Sequence, residues 1–176
     1  DNAYVQSKWV RSYGQEFDGD KTYQIDGVGG WYDAGDHGKY VVNGGISVWT
    51  LQNMFERAKA QGSADKFNDN GVMSIPQNYS VGNIKFDGTG SPDILDEARV
   101  ELEWMFNMMV KSDDPYWGSK YENFVYHKLH DHKWTGLATQ PWNYQDEWGT
   151  TRIVKPPSYA ATFNMIACAA QAARLW

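Results

Sequence analysis

Along residues 41–58, apolar or small residues return in alternating steps of three and four: Val41, Gly44, Val48, Leu51, Phe55 and Ala58. Such spacing puts one buried stripe on an α-helix, and it predicts a helix over residues 37–61. A second pattern opens at Ser91-Pro92, a capping hydroxyl followed by a proline at the first helical position, with Asp93 and Asp96 near the positive end of the helix dipole. Ile94, Leu95, Ala98, Leu102, Met105, Phe106 and Met109 then share one face. The Ala-rich run from Tyr159 to Leu175 predicts a third helix that can approach its neighbours closely, and a weaker pattern over Ala3 to Ser12 predicts a fourth. With no alternating strand pattern in competition, the expected fold class is all-α. A chain of 176 residues suits one domain with a single core.

Two connections, residues 62–90 and 112–157, are longer than an idle loop in a compact domain, and long loops on a rigid scaffold carry function. The second holds Trp117, Tyr121, Tyr126, Trp134, Trp142, Tyr144 and Trp148. Aromatic residues make up 15% of a chain whose composition is otherwise polar, so many rings must sit in loops or at the surface. Their flat faces suit the CH faces of sugars. Trp134 and Trp142 are therefore candidate sugar platforms, the alternative being a satellite hydrophobic cluster under the loop. A net charge of −6 without a basic run excludes nucleic acid as a partner, because phosphate binding rests on clustered Lys and Arg. No apolar stretch is long enough to span a bilayer, so no membrane partner is expected. Cys168, the single cysteine, reads as a small packing residue in its helix.

The densest chemistry lies in Gly29-Gly30-Trp31-Tyr32-Asp33-Ala34-Gly35-Asp36-His37-Gly38-Lys39-Tyr40. Asp33 and Asp36 are separated only by Ala and Gly, so both carboxylates can reach one small volume and hold a water between them. One would take its proton and the other fix its orientation. The competing reading makes Asp36 the N-cap of the following helix and Asp33 a turn residue. Other templates fail. Residues 27–32 lack the sixth-position glycine of a dinucleotide loop, and residues 45–49 lack the closing glycine of a nucleophile elbow. His127, His130, Asp131 and His132 lack zinc spacing and read as hydrogen-bonding or substrate-contact residues. Lys66 spoils the Asp65 to Gly71 segment as a calcium loop, leaving a solvated turn.

Taken together these residues resemble the family nine glycoside hydrolases, which include many cellulases. The match runs from Gly29-Gly30-Trp31-Tyr32-Asp33-Ala34-Gly35-Asp36 through Gly38-Lys39-Tyr40 to Pro92-Asp93-Ile94-Leu95-Asp96-Glu97-Ala98-Arg99 and Glu101-Leu102-Glu103-Trp104-Met105. It continues at Tyr126-His127-Lys128 and at Pro156-Pro157-Ser158 with Ala160-Ala161-Thr162. The resemblance implies Asp36 as catalytic base, Asp33 as its water-holding partner, and substrate contacts from Trp31, Tyr32, Tyr126 and His127. It further implies part of an (α/α)6 barrel with long aromatic-rich loops. Residues 1–176 would form a partial catalytic domain, with the general acid, a Glu, and the remaining helical hairpins beyond it. Two departures, Tyr126 for a frequent His and Tyr159 for a frequent Thr, bear on substrate preference.

The implied activity is inverting hydrolysis of β-1,4-glucosidic bonds in β-glucan polysaccharide or cello-oligosaccharides by an endo-acting, secreted enzyme. Its leader would precede this numbering, its parent chain would carry accessory domains, and the 176 residues alone would be inactive. No cofactor is required for the chemistry. A structural calcium is compatible with the resemblance but has no assigned site. Two alternatives are an exo-acting glucosidase or glucosaminidase using the same base, and a noncatalytic sugar-binding module, which would have no use for a water-holding carboxylate pair.

Overall fold

Three of the four expected helices form, and the fourth segment is a strand. The computed structural model describes residues 2–9, 17, 21–68, 79–81, 84–86, 90–145 and 151–176. Helix α1 spans Val41–Ala60, α2 spans Asp93–Asn107, a single turn α3 covers Gly118–Tyr121, and α4 runs Tyr159–Leu175. α1 packs against both α2 and α4, and α2 touches α4. The buried face of α1 is Val41, Gly45, Val48, Gln52, Phe55 and Ala58, so the stripe is turned slightly from the expected one and leaves Gly44 and Leu51 half-buried. α2 begins with Pro92 as its N-cap and carries Asp93 and Asp96 in its first turn. Gripped by two helices, it buries most of its circumference, including Glu101 and Trp104, whereas Phe106 of the expected buried face is exposed. α4 is capped by Ser158, whose Oγ accepts the Ala161 N–H at 3.1 Å.

An all-α chain describes this core but not the loops, which pair into short strands. β1 (Asn2–Val5), β2 (Gln24–Asp26), β3 (Lys39–Tyr40), β7 (Lys128–Asp131) and β8 (Arg152–Val154) form one sheet in the order β2-β1-β8-β7-β3. β1 runs parallel to β8, with Ala3 opposite Arg152, and the other neighbours are antiparallel. β4 (Tyr79–Val81) pairs with β5 (Ile84–Phe86), and β6 (Val125–Tyr126) with β9 (Pro157–Ser158). These strands have two to four residues, too few for a period of two to declare itself in sequence. In β1 the alternation is nonetheless present, since Ala3 and Val5 are fully buried while Asn2 is exposed. That replaces the expected helix over Ala3 to Ser12. Trp148 and residues 69–71 of the acidic segment lie outside the described residues; Ala64–Phe67 is a 3-10 turn closed by Asn68, whose amide donates to Asp65. Among the described residues no helix is long and apolar enough to cross a membrane.

The sheet's role is positional. β3 leads directly into α1, so the segment ahead of it is pinned between helix α2 on one side and strands β7 and β8 on the other.

Candidate active site

The segment from Gly27 to Tyr40 is held from three directions. Gly29 and Gly30 both adopt positive φ, 93° and 70°, a region that a side chain disfavours. A Cβ at Gly30 would also lie 2.7 Å from the Trp104 ring and 2.9 Å from Glu101 Oε2. The buried Lys39 ammonium donates to the carbonyls of Gly27 and Gly29 at 2.9 and 2.6 Å. Burial, then the nearby Arg152, lowers its pKa to about 8. On the α2 side, the Trp31 N–H donates to Glu101 Oε2 at 2.6 Å. Burial raises the Glu101 carboxyl to about 7, against the opposing pull of the Trp31 N–H and Lys39.

The turn itself closes from the Asp33 N–H to the Gly38 carbonyl at 2.8 Å and from the Gly38 N–H to Asp36 Oδ1 at 2.7 Å. His37 points inward: its Nδ1 faces Asp131 Oδ2 and its Nε2 faces the Thr139 carbonyl, each at 2.7 Å. Asp131 is gripped in turn by Arg152 Nε at 3.0 Å, and Arg152 also donates to the His37 carbonyl. Burial raises the Asp131 carboxyl, partly offset by Arg152 and His37. This buried trio ties the turn to β7 and β8, while Asp33 is exposed and Asp36 half-buried.

Helix capping does not explain Asp36, because α1 starts at Val41 with Tyr40 as its N-cap. Its carboxylate is occupied by the Gly38 N–H and the Tyr40 hydroxyl. Burial and the Asp36 and Asp33 charges push Tyr40 up to about 12, so this phenol stays a donor across the working range of any enzyme. Asp33 Oδ1 accepts from Asn43 Nδ2 at 2.7 Å, from the first turn of α1. Lys128 lies 4.9 Å from the Tyr40 ring centre and 5.8 Å from that of Trp134, close enough to Asp36 to feel its charge.

The other expected site residues divide. Tyr32 is exposed and sits 5.7 Å from His37, ring to ring; Trp31 is half-buried against the core. Trp134 is 47% exposed and stacked on His130, and Trp142 is 74% exposed. A polar cleft of about 360 Å³ lined by Trp134, Thr135, Thr139, Asn143 and Tyr144 adjoins the turn through the Thr139 carbonyl. His127 is half-buried and bound to Ser158 Oγ at 2.8 Å, with its pKa lowered by burial. Tyr126 is placed differently from the exposed rings. It is 1% exposed, and its hydroxyl donates to Asp114, whose other oxygen caps the N–H groups of Tyr116 and Trp117 at 2.8 and 3.0 Å. So enclosed, Tyr126 packs within the core. The rings of the long aromatic loop divide: Trp117, Tyr126 and Tyr144 are buried, whereas Trp134 and Trp142 are open to solvent.

His130 is buried, held near a pKa of about 3 by burial, and its Nδ1 bonds the Asp131 carbonyl. Among the described residues no group of three or more His, Cys, Asp or Glu is placed to hold a metal ion. The apolar groove between α2 and α4, lined by Leu102, Phe106, Ala172 and Trp176, contains none of the site residues. Asn43, Glu101 and Arg152 have no role in the sequence reading, and Asp131 has there only the general one of a hydrogen-bonding or substrate-contact residue. Glu101 did leave a signal: it falls on the buried period Ile94, Ala98, Glu101, Met105, where a charge is out of place.

Comparison with known proteins completes the picture. A family model described as "Glycosyl hydrolase family 9" matches residues 2–176. A cellulose 1,4-beta-cellobiosidase of Acetivibrio thermocellus is 48% identical over 159 residues, which is 89% of this chain and 16% of that protein. Endoglucanase C of Cellulomonas fimi is 46% identical over 153 residues, 87% of this chain and 12% of its own. A solved Bacteroides ovatus GH9 structure superposes with a TM-score of 0.60 at 32% identity, covering 83% of this chain and 21% of that one. A thermostable endoglucanase variant from Alicyclobacillus acidocaldarius does so at 0.63 and 26% identity, covering 99% and 25%. The chain thus spans under a third of the length of each.

Proposed function

The chain belongs to glycosyl hydrolase family 9, and from that premise we propose that it carries the water-activating half of an inverting β-1,4-glucan hydrolase. Asp36 is the base and Asp33 the carboxylate that orients the water. The observation that carries this reading is the turn from Asp33 to Gly38, whose backbone is anchored by a buried His37 while both carboxylates stay accessible. A scaffold that rigid around two solvent-reachable carboxylates suits a site that must hold one water in one place.

In the reaction, the water held between Asp33 and Asp36 gives its proton to Asp36 as its oxygen bonds to the anomeric carbon. The glycosidic C–O bond breaks on the opposite face, and the leaving oxygen takes a proton from a general acid about 6.5–9.5 Å from the base. That acid, a Glu in the family's pattern, belongs to the longer parent protein. Tyr40 donates to Asp36 throughout and fixes which oxygen faces the water. Trp134, Trp142 and Tyr32 supply faces on which glucose rings stack, with Trp31 and His127 closer to the scaffold. The substrates are β-glucan polysaccharide or cello-oligosaccharides. Both cellobiosidase and endoglucanase stand among the relatives' names, so the reading is made at the level of the bond, with endo action first. A polymeric substrate, too large to enter a cell, supports reading the enzyme as secreted.

The helices read as the first members of an (α/α)6 barrel. Ile46 and Trp49 on α1 and Tyr159, Phe163 and Ile166 on α4 are all exposed, giving these helices apolar outer faces that further helical hairpins would cover. The anomeric configuration of the first product tests the mechanism. Proton NMR of the full-length enzyme on a β-glucan, read before mutarotation, should show the α-anomer; a β-anomer would mean double displacement and remove Asp36 as base.

A further inference from the structure

We infer that Glu101 is a positioning residue that sets where Asp33 stands. The inference rests on the reading of Asp33 as the water-orienting carboxylate.

Glu101 is fully buried in the middle of α2, yet its two oxygens reach two different parts of the site. Oε2 takes the Trp31 N–H at 2.6 Å, two residues before Asp33. Oε1 sits against Gly44 in the first turn of α1, so closely that a Cβ there would overlap it. Gly44 follows Asn43, whose amide holds Asp33 Oδ1 at 2.7 Å. One carboxylate therefore spans the gap between the chain entering the turn and the helix leaving it, and Asp33 is attached to both sides of that gap. Among the described residues Oε1 has no hydrogen-bond partner, so its contact with α1 is steric. Gly30 completes the seat: with positive φ and no side chain, it lets the turn approach Trp104 and Glu101 at distances that a Cβ would forbid.

A buried carboxylate is an unfavourable way to fill a helix–helix contact. Packing alone would be served better by the Leu or Met that its position in the apolar period calls for. What Glu101 adds is a short, directional bond to a backbone N–H, and a side chain of fixed length braced against the helix that carries Asn43.

The experiment compares Glu101→Gln, Asp33→Asn and their double variant in the full-length enzyme on a soluble β-glucan, with kcat and KM read separately. Displacement of a water-holding group by a fraction of an ångström to 1 Å lowers turnover by about 10- to 100-fold, so Glu101→Gln should lower kcat about tenfold or more with KM within about twofold. In the Asp33→Asn background the same change should have no further effect, because there is no longer a placed carboxylate to lose. A second variant, Gly44→Ala, leaves Glu101 chemically intact but occupies its seat. It should reproduce the kcat loss, and it carries the test if Glu101→Gln does not fold. The inference is overturned if Glu101→Gln multiplies with Asp33→Asn, if it changes KM alone or neither constant, or if Gly44→Ala turns over at the normal rate. Normal kcat in Asp33→Asn by itself would remove the water-holding role of Asp33 and the inference with it.

Discussion

Asn43 in the first turn of α1 donates to Asp33 Oδ1 at 2.7 Å, so the exposed carboxylate of the pair is fixed by the helix that follows the turn rather than by the turn itself. Asn43→Ala frees Asp33 to rotate without touching the core, since Asn43 is itself exposed. We expect kcat to fall by about tenfold, as when an orienting contact is lost, while the far-UV spectrum and melting temperature stay as they are. Steady-state kinetics beside a thermal melt would reveal it, and unchanged turnover would leave Asn43 a surface contact.

Asp36→Asn removes the base while keeping the acceptor for the Gly38 N–H. Because Tyr40, not Asp36, caps α1, stability should fall by no more than about 1.5 kcal/mol, the worth of one hydrogen bond should the amide meet the Tyr40 hydroxyl poorly. Turnover should drop by about 10²- to 10⁴-fold, the usual contribution of base catalysis. A drop below about tenfold would return Asp36 to a purely structural role.

Trp142 and Trp134 should behave differently from each other. Trp142 is three-quarters exposed, so Trp142→Ala should weaken cello-oligosaccharide binding by about 0.5–1.5 kcal/mol, the added worth of ring stacking, with no change in melting. Trp134 also stacks on the buried His130, and its replacement should lower both binding and melting temperature. Calorimetric titration with a cello-oligosaccharide separates the two; normal binding in both variants would make the rings packing residues.

Tyr126→Phe deletes only the hydroxyl that meets Asp114 and leaves that oxygen without its buried partner. Stability should fall by about 1–3 kcal/mol, the range for an unsatisfied buried acceptor, and KM should not move. A raised KM with normal stability would restore Tyr126 to the substrate's surroundings.

Glu101 also makes stability depend on pH. In the unfolded chain it ionises above about 4.5, but in the folded chain it keeps its proton up to about 7. Between those values the folded state binds more protons, so this contribution to stability is full below 4.5, falls as pH rises, and is gone above 7. Its size is on the order of 3 kcal/mol. Lys39, at about 8, and Cys168, at about 11, face the same carboxyl but keep their protons across that window. Urea midpoints at pH 5 and pH 8 should therefore separate more in the wild type than in Glu101→Gln; equal separation would refute the shift.

The three long helices were legible because each buries a stripe wide enough to repeat several times, and α4 begins at Tyr159 and ends at Leu175, the limits of its Ala-rich run. The strands were not legible because two to four residues cannot display a period. β1 shows this best: Ala3 and Val5 alternate with Asn2 and Tyr4, yet so short a run reads equally well as a weak helix. In the site, Asp33, Asp36, Trp134 and Trp142 stood out by residue type and spacing. The burial of Tyr126 was not legible, because sequence says which rings lie in a loop but not which of them turn inward, and here that depends on Asp114, twelve residues away. His37, Asp131 and Arg152 meet across some hundred residues, and no local pattern announces such a meeting.

The parallel pairing of β1 with β8 bears on the order of events during synthesis. Ala3 and Arg152 are neighbours in the sheet, so β1 must wait for about 150 further residues to be synthesised before β8 exists to pair with it. Closing so long a loop costs only about 2 kcal/mol more in entropy than closing the short β1–β2 hairpin, since each doubling of length adds roughly 0.6 kcal/mol, but contacts so distant form late. Arg152 also belongs to the trio that anchors His37. The turn bearing Asp33 and Asp36 therefore completes its anchor only once residue 152 has emerged, and nascent chains halted before that point should expose the His37 segment to protease more readily than longer ones.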